Sequence, residues 1–265
     1  MNYQRLIIRV SAGSLSFSTT DGSQVVYERY PVKSSISIAA NMREALRTAS
    51  LLQEQYERVL VMVDSPVLMT PADLYSAEEA TGLYRYTFSR KESEDRSQET
   101  VVSYVLPELN AIAVFAIHRD LHQVLTDRYP QLRLQPVMTH VWNHLHQKSF
   151  TGPRQKLYGH FHDHRLEVFC FTQNRFKFCN AYPVGNEPND ALYYLLSVWK
   201  QLSMNPREDE LHLSGDLPER QQLTDLSRQY VKRVFVNNPS GEFNRAQVTQ
   251  IEGLPYDLML QYLRK

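Results

Sequence analysis

Cysteine is scarce, with only Cys170 and Cys179 in 265 residues. A chain of this length can bury a core without disulfides. The two thiols fall on neighbouring strands of an expected hairpin, offset rather than directly opposite, so reduced buried thiols are expected. Charge of one sign is also missing: lysine plus arginine and aspartate plus glutamate each number 29, with no long block of either. That balance offers no electrostatic hold to nucleic acid or an anionic membrane. No apolar run approaches the length of a membrane span, and Met1-Asn-Tyr-Gln-Arg5 leads into a strand pattern without an apolar signal region. No direct membrane insertion and a cytoplasmic location are the expectations. Both common glycine-rich phosphate loops, Gly-x-x-x-x-Gly-Lys and Gly-x-Gly-x-x-Gly, are absent.

What the sequence has is an opening used twice. From Lys156 to Val184, side chains alternate, aromatic and β-branched residues are frequent, and Asp163-His164 and Gln173-Asn174 supply turns. Three antiparallel strands are predicted, followed by an amphipathic helix from about Asp190 to Leu202. The chain begins in the same way. Leu6 to Val10, Leu15 to Thr19 and Val25 to Tyr30 read as strands, and Asn41 to Tyr56 carries Met42, Ala45, Leu46, Ala49, Leu52 and Tyr56 on one helical stripe. Setting Arg9 over His160 also places Leu15 on Leu166. One added residue then aligns Tyr30-Pro31-Val32 with Tyr182-Pro183-Val184. A helix, strand and helix follow in both halves, a self-similar order over about 75 residues.

The continuous apolar run Val59–Val63 predicts a central strand covered on both faces. Thr70 to Ala80, with Pro71 after a capping threonine, predicts a short helix. From Leu83 to about 148 the second half has no counterpart. There Leu83 to Phe88 and Thr100 to Leu106 alternate as a hairpin around the charged tip Ser89–Gln98, and Ala111–Ile117 is a further apolar strand. Later elements are a helix near Arg119–Arg128, the strand Leu132–Leu134, a helix near Thr139–His146, the strand Glu210–Ser214, a helix with Leu223 and Leu226, the strand Val234–Val236 and a last helix over Gly253–Leu263.

The expected class is therefore α/β with mixed sheets: two β-β-β-α-β-α units, the first carrying a strand-rich insertion. This order resembles the actin-like ATPase, ribonuclease H-like, fold, and within it the branch of cell-division and type IV pilus assembly or type II secretion proteins. The resemblance implies a first domain over 1–150 with the insertion at 83–148, a second over 151–252, and a helix over 253–265 that can return to the first. It also implies a place for ATP and Mg²⁺ at the first hairpin of each unit, where family members carry an acidic residue and, two on, a glycine. Carried onto this chain, the first acidic position is Arg9, with Ser11 at the glycine, Gly13 displaced and Ser14 following. The second is His160, with His162 at the glycine and Asp163 three residues late. Leu213-Ser-Gly-Asp-Leu-Pro218 resembles the turn that approaches the purine, with Gly215 kept and Asp216 in place of a second glycine. Neither Arg9 nor His160 holds Mg²⁺ as a carboxylate does, so no cofactor and no catalytic residue is expected from these positions. The alternative is a nucleotide-binding protein or weak ATPase working through non-standard residues, with Arg9 on a phosphate.

Other groups were weighed against plainer readings. His160, His162 and His164 alternate and, with Asp163 or Glu167, formally offer a zinc site, against polar residues lining a cleft. His140 and His144 stand at i, i+4 but lack the adjacent Glu of a zinc hydrolase helix, so a surface stripe is expected. The alternation of Cys170 and Cys179 with phenylalanines argues against nucleophilic thiols. Tyr84, Tyr86, Phe88 and Tyr104 suit either an insertion core or a partner-binding face. The expected role is a non-catalytic one, with a protein partner and oligomeric state open.

Overall fold

Alternation and helical stripes become three sheets and their covering helices in the computed structural model, which describes residues 5–22, 24–88 and 98–263. The chain divides into two compact units, Met1–Thr139 and His140–Lys265.

In the first unit β1 (Arg5–Val10), β2 (Ser14–Asp21) and β3 (Gln24–Pro31) form an antiparallel meander, and α1 (Ile38–Thr48) leads into β4 (Arg58–Val63). β5 (Val67–Pro71), α2 (Ala77–Thr87), β6 (Glu99–Leu106), β7 (Ala111–His118), α3 (Arg119–Arg128) and β8 (Arg133–Pro136) follow. The main sheet has the order β3-β2-β1-β4-β8, with β4 parallel to both β1 and β8. Alternation sends Leu6, Ile8, Val10, Leu15, Phe17, Val59, Val61 and Val63 to one side, where Met42, Ala45, Leu121 and Leu125 complete a buried cluster. Each such fully buried aliphatic or aromatic side chain contributes about 2 kcal/mol. The expected central strand is β4, buried from Val59 to Val63.

The inserted sheet is β5-β7-β6, antiparallel throughout. Here the structure departs from the alternation pattern. Leu83–Phe88 is not a strand, because Ala77–Thr87 is helical and buries Ala80 and Tyr84 against Val114 and Ala116. The helix expected from Thr70 is instead the end of β5 and a short 3-10 turn, and α2 starts one step later at its cap, Ser76, whose side chain accepts from the Glu79 amide. The charged tip falls almost wholly outside the described residues. Tyr84 and Phe88 meet at 4.9 Å between ring centroids within this small core. β8 returns to the main sheet beside β4.

The second unit opens with α4 (Thr139–Ser149), then β9 (Lys156–His162), β10 (Arg165–Thr172) and β11 (Arg175–Pro183). Next come α5 (Pro188–Gln201), β12 (Glu210–Gly215), α6 (Arg220–Tyr230), β13 (Arg233–Val236), α7 (Pro239–Glu242) and α8 (Tyr256–Leu263). Its sheet runs β11-β10-β9-β12-β13, with the same pattern of antiparallel and parallel neighbours as the first. Leu157, Phe161, Leu166, Val168, Leu211 and Leu213 pack on Leu195, Trp199 and Leu223. The opposite face carries Tyr158, His160, His162, Glu167, Phe169 and His212, placed there by the two-residue period. The terminal helix is counted with this second unit, where the Tyr256 ring lies 5.6 Å from that of His160.

Candidate functional site

The three positions that the resemblance assigned to nucleotide are each tied into local structure. In the first hairpin, Arg9 stands opposite Ser16 across the β1–β2 pair and is 2% exposed. The turn beyond it closes on itself. Ser11 N donates to Ser14 O at 3.0 Å, Ser14 N donates to Ser11 Oγ at 3.2 Å, and Ser11 Oγ also meets Ser14 O and Ser14 Oγ at 3.1 and 3.2 Å. Two amides and two hydroxyls are thus spent inside the turn, and Gly13 O accepts from Val32 N. A phosphate-binding turn needs its amides pointing at the ligand.

The second hairpin is tighter. His162 and Arg165 form the last pair of β9 and β10, and between them Asp163 and His164 both adopt positive φ, 44° and 59°. Two consecutive left-handed residues make a type I′ turn, which joins two twisted strands by the shortest route. His164 leaves the row of imidazoles and is exposed, so the alternation of three histidines reduces to two. His160 and His162 stack at 5.6 Å. His160 Nδ1 lies 2.9 Å from Ser214 Oγ, and His162 Nδ1 lies 3.3 Å from Asp163 Oδ2, with its Nε2 3.6 Å from Glu167 Oε1.

Gly215 ends β12 with φ +86°, and a Cβ there would stand 2.0 Å from Phe161 O. Asp216 N donates to that same carbonyl at 2.9 Å. The glycine is therefore demanded by the close approach of β9, whether or not a ligand is nearby. Asp216 itself is exposed. An actin-like ATPase fold implies Mg²⁺ and ATP at these turns, and the donor set does not fit them. At the two positions that the resemblance assigns to carboxylates stand a guanidinium and an imidazole hydrogen-bonded to serine, and an octahedral Mg²⁺ takes oxygen ligands.

No motif points to Tyr256, whose partner in space, His160, lies far along the chain. Its ring packs on His160, its hydroxyl donates to Glu242 Oε2 at 3.0 Å, and Asn237 Nδ2 donates to the hydroxyl at 3.0 Å. Burial raises the Tyr256 pKa above the ordinary phenol range. Glu242 also takes His144 Nε2 at 2.6 Å and Lys148 Nζ, so His144 of the expected surface stripe is drawn into a polar knot between α4 and α7. The cysteines lie offset as expected. Cys170 pairs with Phe178 and Cys179 with Phe169, which puts the thiols on opposite faces of the sheet and precludes a disulfide. Burial pushes Cys170 up to about 11 and raises Cys179 well above its ordinary range, with the Glu167 carboxylate adding to the latter. Neither is a ready thiolate.

Among the described residues no helix is long and apolar enough to cross a membrane. A protein of Bacteroides thetaiotaomicron VPI-5482 with an actin-like ATPase fold and unknown function matches at 27% identity and a TM-score of 0.80, over 94% of this chain and 96% of that one. The PilM–PilN type IV pilus biogenesis complex matches at 10% identity and a TM-score of 0.57, over 99% of this chain and 98% of that one, a likeness of fold. No curated protein matches the sequence. The family model described as a protein of unknown function, DUF3822, matches residues 1–234. With that match over most of its length, the chain belongs to the DUF3822 family, and it has the actin-like ATPase fold.

Proposed function

We propose that this protein is a non-catalytic member of the actin-like fold, a body that binds another protein rather than hydrolysing ATP. The observation that carries this reading is the pair of hairpins in which Arg9 and His160 stand where a metal-positioning carboxylate is needed, with the turn amides of Ser11 and Ser14 already bonded. Losing both carboxylates removes several kcal/mol of charge stabilisation from any phosphoryl transfer. The balanced charge of 29 against 29 supports a protein partner over nucleic acid or an anionic membrane. The PilM–PilN complex is a case of this fold working in an assembly.

A melting assay with and without MgATP, run beside a phosphate-release assay, tests the reading. A ligand that binds the folded chain must raise the midpoint by mass action. The expected result is an unchanged midpoint and no phosphate release above buffer. A raised midpoint with release of phosphate would overturn it in favour of a nucleotide site built on Arg9.

A further inference from the structure

The second face of the β9–β13 sheet carries an unbroken ladder of rings whose two ends reach the surface. Phe150 touches His146 at 4.8 Å between ring centroids, His146 touches Phe171 at 5.0 Å, and Phe171 touches Tyr158 at 5.9 Å. Tyr158 meets His212 at 5.3 Å, and His212 stacks on Phe235 at 4.9 Å. The interior rungs are buried or half-buried, but Phe150 is 58% and Phe235 45% exposed. Exposed phenylalanines, one just past α4 and one on β13, are the kind of side chain that carries binding energy.

The charge around the ladder has one sign in excess. Glu210 stands in register with Lys156 on β9 and with Arg233 on β13, and Arg154 Nη1 lies 4.0 Å from its Oε1. Arg154, Lys156 and Arg233 thus surround Glu210, of which only Arg154 is within ion-pair distance, and the same carboxylate accepts from His212 Nε2 at 3.0 Å. Lys156 Nζ is turned to the carbonyls of Ser149 and Thr151, beside Phe150. Exposed aromatic ends beside surplus cations have one complement, a carboxylate next to an aromatic or aliphatic side chain.

Resting on the reading of this protein as an interaction body, we propose that the Phe150–Phe235 ladder is the docking surface for an acidic peptide segment of a partner protein. The segment lays an apolar side chain against Phe150 or Phe235 and a carboxylate against Arg154 or Arg233.

Fluorescence anisotropy with a short labelled peptide of alternating Asp and Phe tests this, with Lys–Phe and Asp–Ser peptides as controls. The expected result is saturable binding of the Asp–Phe peptide alone, weakened about tenfold by either Phe235→Ser or Arg154→Glu. Tyr193→Ser, which removes an exposed aromatic 68% accessible on α5, is expected to leave binding unchanged. Both test positions are surface side chains, and circular dichroism and melting midpoints certify that the variants fold. Absence of binding, equal binding of the Lys–Phe peptide, or insensitivity to both substitutions would overturn the docking surface. So would a concentration-dependent dimer broken by Phe235→Ser, which would make this face a contact between copies. None of these results touches the non-catalytic reading, and phosphate release with the peptide still bound at the ladder would sink that reading alone.

Discussion

His160 Nδ1 and Ser214 Oγ meet at 2.9 Å where β9 runs parallel to β12, and the pair is buried. The bond fixes an imidazole at the position that the resemblance assigns to a carboxylate. Ser214→Ala takes a partner from a buried nitrogen, and the expected cost is about 1 kcal/mol. Urea denaturation measures it, and an unchanged midpoint would show that the hydroxyl does nothing for the imidazole.

Gly215→Ala should be among the most damaging single changes in the second unit. The methyl group would meet Phe161 O at 2.0 Å, on a backbone already at φ +86°. Backbone cannot retreat as a side-chain tip can, so the loss should exceed about 3 kcal/mol. Stability within about 1 kcal/mol of wild type would mean that β9 and β12 approach less closely than described.

The β9–β10 turn invites the opposite experiment. Asp163 and His164 hold left-handed conformations that Asn and Gly adopt more readily. Replacing the pair as Asp163→Asn with His164→Gly should stabilise the protein by about 1 kcal/mol. A loss of stability would argue that the Asp163 carboxylate near His162 matters more than turn strain.

His212 supplies a pH dependence. Burial lowers its pKa from the ordinary 6.5, outweighing the opposing bond from Glu210. As pH falls the unfolded chain therefore takes up this proton first, so the contribution is complete above about 6.5 and declines below it until the folded pKa is reached. Denaturation at about pH 7.5 and about pH 5.5 should show a smaller loss for His212→Phe than for wild type. Equal losses in the two proteins would assign the acid sensitivity elsewhere.

Both thiols should react slowly with a disulfide reagent in the native state and fast in denaturant, because burial raises their pKa values and thiolate is the reactive form. Mild oxidation should leave no intramolecular crosslink. Its appearance would contradict their placement on opposite faces.

The two meanders, the central run Val59–Val63 and the helices α3 and α5 were legible because their two- and 3.6-residue periods are set by local burial. The inserted helix α2 was misread because Tyr84, Tyr86 and Phe88 alternate like a strand. Tyr86 is 83% exposed while Tyr84 is buried, and only the packing partners Val114 and Ala116 separate the two readings. The Ser76-Ala77-Glu78-Glu79 capping pattern was the available signal. At the candidate site, Arg9 and His160 come from aligning the two halves of the sequence, and the structure shows them buried on β1 and β9. The Ser11–Ser14 closure was not legible, since it depends on side-chain torsions. Tyr256 over His160 was out of reach, because no local period links residues so far apart in sequence.

The central claim is that the Arg9 and His160 hairpins no longer hold a metal-bound triphosphate. Isothermal titration of the intact protein with MgATP tests it most directly. The account predicts only dilution heat, and saturable binding at micromolar concentration, abolished by Arg9→Ala in a variant that still folds, would contradict it.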